Sequence, residues 1–129
     1  MTRAYPEARE ALFALIDGSV HMDRTMTAYY QLQTDFADRL PAALIYVQRG
    51  TEGVIDRTDW VTVTVYAAPG EAVPILESIR AGLVMRPHDV PGVGFIDDVV
   101  CEQAPQDVPY PSDLLMQANA TFRVTSRPQ

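Results

Sequence analysis

Lysine is missing from this sequence: all ten basic side chains are arginine, scattered among seventeen carboxylates, for a formal net charge of −7. A chain this acidic without a basic cluster is a poor binder of nucleic-acid phosphates. The arginine bias itself reads as coding composition rather than as a site. Cysteine is scarce as well, since Cys101 stands alone and a single thiol makes no internal disulfide. His21 and His88 are the only histidines. Each has one neighbouring aspartate, Asp23 and Asp89, which gives two ligands where zinc takes three or four. Both read as surface histidines. No apolar run approaches the ~20 residues of a membrane span, and Met1 to Pro6 leads into acidic residues without the basic start and apolar stretch of a signal peptide. The expectation is a cytosolic product, in which the sequon Asn119-Ala120-Thr121 is a chance match.

What is present is core-forming material. Hydrophobic residues make up 47% of 129, which places the chain among globular proteins as one domain, residues 1–129. A chain of this length buries roughly two-thirds of its unfolded surface and needs no staple. Pro6 suits the first position of a helix, and Ala8, Ala11, Leu12, Leu15 and Ile16 then share one face until Asp17-Gly18 stops it. Residues 19–33 follow no clean period and read as extended or irregular. Thr34 caps one turn carrying Phe36, ended by Leu40-Pro41. Ala42 to Arg49 is apolar on both faces, as in a central strand. After the turn signal Gly50-Thr51-Glu52-Gly53, Val61, Val63 and Val65 alternate with Thr62, Thr64 and Tyr66. The two strands make a hairpin over 43–67, and if Val54 and Ile55 continue it, the hairpin reaches beyond the core as an arm.

A second helix from Pro69 carries Ala72, Ile75, Leu76, Ile79 and Leu83 on one face. Met85 to Gly92 reads as a loop. Gly94 to Glu102 has strand composition, with a bulge at Asp97-Asp98, and Pro105, Pro109 and Pro111 fix the connection that follows. Last comes one long strand with a buried face of Leu114, Met116, Ala118, Ala120, Phe122 and Val124. The order α-β-β-α-β-β specifies an α+β domain, its helices on one face of a largely antiparallel sheet.

Few residues propose chemistry. Gly92-Val93-Gly94 lacks the third glycine of a dinucleotide loop and precedes a strand rather than a helix. Asp97 and Asp98 point to opposite faces of a strand and do not share a substrate. No serine lies in a nucleophile elbow, and Cys101, in mid-strand, reads as a buried inert thiol. The expectation is a protein without catalytic residues, metal or cofactor. Tyr29-Tyr30, Trp60 and Tyr66 are either interface anchors or core aromatics.

The string Phe36-Ala37-Asp38-Arg39-Leu40-Pro41 leading into Leu44-Ile45-Tyr46-Val47-Gln48-Arg49-Gly50, followed by Asp59 to Ala67, resembles the tail terminator proteins of long-tailed bacteriophages, especially those infecting actinobacteria. Pro109-Tyr110-Pro111 and the closing run Ala120 to Pro128 are similar to the end of that family. The resemblance extends over residues 1–17 and 34–128. It implies a structural subunit, not an enzyme. Such subunits form a homo-oligomeric ring, commonly six-fold, which caps the last ring of the tail tube protein and presents a face to the head connector or neck protein. DNA passes through the ring without specific binding, and an acidic lumen suits that passage. The implied place is the head-proximal end of the tail, with assembly in the host cytoplasm. A ring-former joins neighbours through sheet edges or arms, and the hairpin over 43–67 is the candidate to supply them by strand addition or apolar contact; the candidate interface residues are Arg49, Val54, Ile55, Trp60, Tyr66, Arg123 and Arg127. The competing readings are another neck or tail-completion protein, a small enzyme with its site near His88 or Asp97-Asp98, and a cytosolic binding module.

Overall fold

A computed structural model describes residues 6–34, 36–52, 57–109 and 114–127, with backbone alone at 49–52. Helix α1, Ala8–Ile16, buries Ala8, Ala11, Leu12 and Ile16, the face that its spacing predicts. Pro6 lies two residues before the first helical position, Ala8, on the far side of the N-cap Glu7. Gly18, at φ +79°, turns the chain in a conformation that costs glycine little.

Residues 19–33 hold more order than their irregular pattern predicts. Strands β1, Val20–His21, and β2, Arg24–Thr25, form a small hairpin. Its two central residues, Met22 and Asp23, both have positive φ, as the commonest tight hairpin turns require. Strand β3, Thr27–Tyr29, then runs parallel to the start of β4, Ala42–Glu52. Between them Phe36–Arg39 forms the expected single turn, a 3-10 helix.

Strand β4 pairs antiparallel with β5, Arg57–Ala67, and continues through Gly50, Thr51 and Glu52, which the sequence marks as a turn. Gly50 instead falls at a register shift between Arg49 and Thr51. Val54 and Ile55 lie outside the described residues. The described part of the hairpin does not stand off from the core, because β8, Met116–Ser126, flanks β5 along its whole length, from Arg57↔Ser126 to Ala67↔Met116.

Helix α2, Ala72–Leu83, buries Ala72, Ile75, Leu76, Ile79 and Leu83, the residues its pattern picks out. The supposed loop 85–92 contains β6, His88–Val90, held by β7, Gly94–Val108. Strand β7 runs well past Glu102 and includes Pro105, which the sequence assigns to a connection. Proline is tolerated there because that stretch pairs on one side only, with β8, and the register slips between Gln103 and Gln106. The bulge at Asp97-Asp98 is present as a register shift between Ile96 and Asp98. On β8, Ala118, Ala120, Phe122 and Val124 are buried as expected, whereas Leu114, before the strand, is 83% exposed and its neighbour Leu115 is buried on the opposite face of the sheet.

The result is an α+β fold with a six-stranded sheet ordered β3-β4-β5-β8-β7-β6, antiparallel except for β3 with β4. Both helices cover one face, where Leu12, Ile16, Ile45, Val63, Ile75, Leu76 and Phe122 close a single core. On the opposite face a smaller cluster of Tyr29, Ala42, Tyr66 and Leu115 caps one end, with Phe36 edge-on to Tyr66 at 5.2 Å between ring centroids.

Candidate functional site

Beyond that cluster no described residue covers the second face of the sheet. Strand alternation aims Tyr46 and Gln48 of β4, Trp60 and Thr62 of β5, and Thr121 and Arg123 of β8 to the side away from the helices. The register sets them in rows: Tyr46, Thr62, Thr121 and Gln103 in one, Gln48, Trp60, Arg123 and Val100 in the next. Hydrogen bonds run along the first row, 3.2 Å between the Thr62 and Thr121 hydroxyls and 3.3 Å from Thr121 Oγ1 to Gln103 Oε1. In the second, Arg123 Nη1 reaches Glu102 Oε1 at 3.1 Å. Tyr46 is 64% exposed. Tyr, Trp and Arg are the residue types that dominate protein interfaces, because each buries much area at small entropic cost and carries a polar tip.

The same sheet has two open edges. Among the described residues β3 pairs only with Ala42–Leu44 and β6 only with Gly94–Ile96, and no described strand pairs with the outer side of β4 from Ile45 or of β7 from Asp97. The β7 edge is blunted by Pro105 and by its register shifts, devices that resist strand addition.

Of the sequence candidates, Trp60 and Arg123 are neighbours on this face. Tyr66 is a core residue, 6% exposed beneath Phe36, and is not free to anchor a partner. Tyr29 is equally buried, while Tyr30 lies outside, stacked on Phe13 at 4.5 Å and under the Arg9 guanidinium. Arg127 binds Asp97 through both of its carboxylate oxygens, at 2.8 to 3.1 Å. That contact raises the Arg127 pKa and pairs Asp97 with the end of β8. Arg49 sits on β4 beside Gln48, with its side chain outside the described atoms. Cys101 is half-buried rather than buried and donates to Gln103 O.

His21 is not the surface histidine that its sequence context suggests. Ser19 Oγ donates to Ile16 O at 2.6 Å, because a carbonyl only accepts. Its 2.9 Å contact with His21 Nε2 is therefore one it accepts, and in the neutral ring Nδ1 then accepts from Ser78 Oγ at 2.7 Å. The arrangement sets the Nε2–H tautomer of the neutral ring and ties the β1–β2 hairpin to α2, with the Arg24–Glu71 ion pair at 3.2 Å as a second tie. Burial lowers the His21 pKa below its ordinary 6.5. The unfolded chain thus binds the proton more readily, so this contribution to stability is complete above pH 6.5 and is lost as pH falls below it. Chemical denaturation from about pH 7.5 down to about pH 5 should show that decline, and His21→Asn should flatten it; an unchanged slope in the variant would assign the decline elsewhere. No sequence signal couples Ser19, His21 and Ser78, since the last is 57 residues from the histidine.

His88 Nε2 donates to Leu83 O at 2.8 Å, closing the end of α2. Among the described residues no group of three His, Cys, Asp or Glu side chains is placed to hold a metal, and no helix is long and apolar enough to cross a membrane. No protein-family model matches this chain, and no curated protein sequence matches it either.

Proposed function

We propose that this protein is a structural subunit of the tail terminator kind, which assembles into a ring on the head-proximal end of a phage tail tube, ends tube growth and joins tail to head. The observation that carries the reading is the uncovered aromatic and polar sheet face around Trp60, beside the open β4 edge. A monomer that leaves Trp60 and Tyr46 on an unprotected sheet has a surface suited to a neighbour. The resemblance of residues 36–50 and 59–67 to that family supports the choice of partner: further copies of the same chain, then the tube protein below and a neck protein above. Net charge of −7 suits a channel that DNA traverses without adhering.

Deleting the gene from its phage should give tails of uncontrolled length or tails without heads in electron micrographs, because an uncapped tube keeps offering its polymerising end. Tails of normal length joined to heads would overturn the proposal. Tails of normal length that lack heads would instead favour the nearest alternative, a neck or tail-completion protein acting after the tube has been capped.

A further inference from the structure

The β1–β2 hairpin is held to the rest of the protein by few groups. From Ser19 to Thr25 no residue is buried, and Val20 and Met22 are 62% and 52% exposed. Its turn is strained, because Met22 sits at φ +53°, where a long side chain is disfavoured. Among the described residues its polar ties to α2 are the Ser78–His21 hydrogen bond at 2.7 Å and the exposed Arg24–Glu71 pair at 3.2 Å. A segment with so little buried surface opens locally more readily than the core. Beneath it, Ser19 and His21 form one side of a cavity of about 330 Å³, whose apolar walls are Leu15, Ile16, Ile79 and Leu83 at the ends of α1 and α2. Of the hairpin's titratable groups, only His21 lines this space.

We propose that the β1–β2 hairpin is an acid-opened lid, closed against α2 while His21 is neutral and swung away from it when His21 takes a proton. Hydrogen bonding alone does not decide this, because an imidazolium Nδ1–H can donate to Ser78 Oγ, a hydroxyl that accepts as readily as it donates. Charge decides it. Burial disfavours the cation and lowers the His21 pKa. Arg86 and His88 share the cavity with His21, and no carboxylate is among the described residues that line it. The carboxylates of the neighbouring elements have other partners: Glu71 pairs with Arg24, Glu77 with Arg80, and Asp17 at the end of α1 accepts from Ala28 N–H. Opening returns the ring to water, where it titrates at its ordinary 6.5. The open form therefore binds the proton more readily, so closure is favoured above pH 6.5 and opening grows as pH falls below it. Opening also bares the hydrocarbon of Ile16 and Ile79, which keeps the lid shut while His21 is neutral. The device is on the helix side of the sheet, away from the Trp60 face, and stands independently of ring assembly.

In the full chain carrying Cys101→Ser, spin labels on Met22→Cys and Glu77→Cys read the distance from the hairpin tip to α2 by double electron–electron resonance. From about pH 7.5 to about pH 5 the fraction at long distance should rise at least about threefold while the far-UV circular dichroism stays constant. Ser78→Ala should raise that fraction at least about threefold already at about pH 7.5, because Nδ1 loses its donor. His21→Asn should remove the pH dependence. The proposal is overturned by a distance distribution that ignores pH, by a pH response that persists in His21→Asn, or by a lengthening that arrives only together with loss of circular dichroism, for then the hairpin leaves α2 only when the whole domain unfolds.

Discussion

Replacing Phe122 with alanine should lower the unfolding free energy by about 3–5 kcal/mol, against a total of about 5–15 kcal/mol for a domain of ordinary stability. Phe122 is fully buried in mid-strand on β8 and is among the largest side chains sealed from solvent. It sits opposite Val61 on β5, with both helices closing over that face. Truncation opens a cavity that neighbours anchored in a sheet do not collapse to fill, and this puts the loss toward the upper end of the range. Urea titration followed by the fluorescence of Trp60, the single tryptophan, would measure it. A loss under about 1 kcal/mol would mean that the core repacks freely around this position.

The second large effect concerns assembly. Changing Tyr46 and Trp60 together to alanine should raise the concentration needed for ring formation at least thirtyfold, since one aromatic hot spot contributes about 2 kcal/mol or more. Tyr46 is mostly exposed and Trp60 is half-buried on the uncovered face, so the monomer should keep its circular dichroism and lose little stability. Light scattering across a concentration series, with and without tail tubes, separates the outcomes. Rings that form at the wild-type concentration would remove this face from the interface and direct attention to the β4 edge.

Both of these sites were partly legible in the sequence. Strict alternation marked β5 and β8 and assigned Phe122 to the core, and helical spacing marked every buried position of α2. These patterns survive because each depends on burial by one face alone. What failed depended on partners distant in sequence. β3 and β6, three residues each, are too short to show a period and exist because β4 and β7 offer them an edge. Pro105 looked like a breaker because nothing local reveals that its strand pairs on one side only. Tyr66 and Trp60 were indistinguishable as aromatics of one strand, and they were separated by Phe36, which covers the first and leaves the second open. The cavity beside Arg86 was illegible for the same reason, since Leu15, Ile79 and His88 converge only when three elements end together.

The position of β8 between β5 and β7 bears on how the chain becomes a protein in the first place. The β4–β5 hairpin and α2 can form as they leave the ribosome, because their contacts are local. Neither has a completed sheet to rest on, since β8 emerges after every other described strand and then docks along the whole of β5, up to 69 residues away at Arg57↔Ser126. Loop closure over such a distance is entropically costly and slow. Until it happens, the valine face of β5 stays exposed on a nascent chain, and the interval before β8 arrives is when misassociation between neighbouring copies is most favoured.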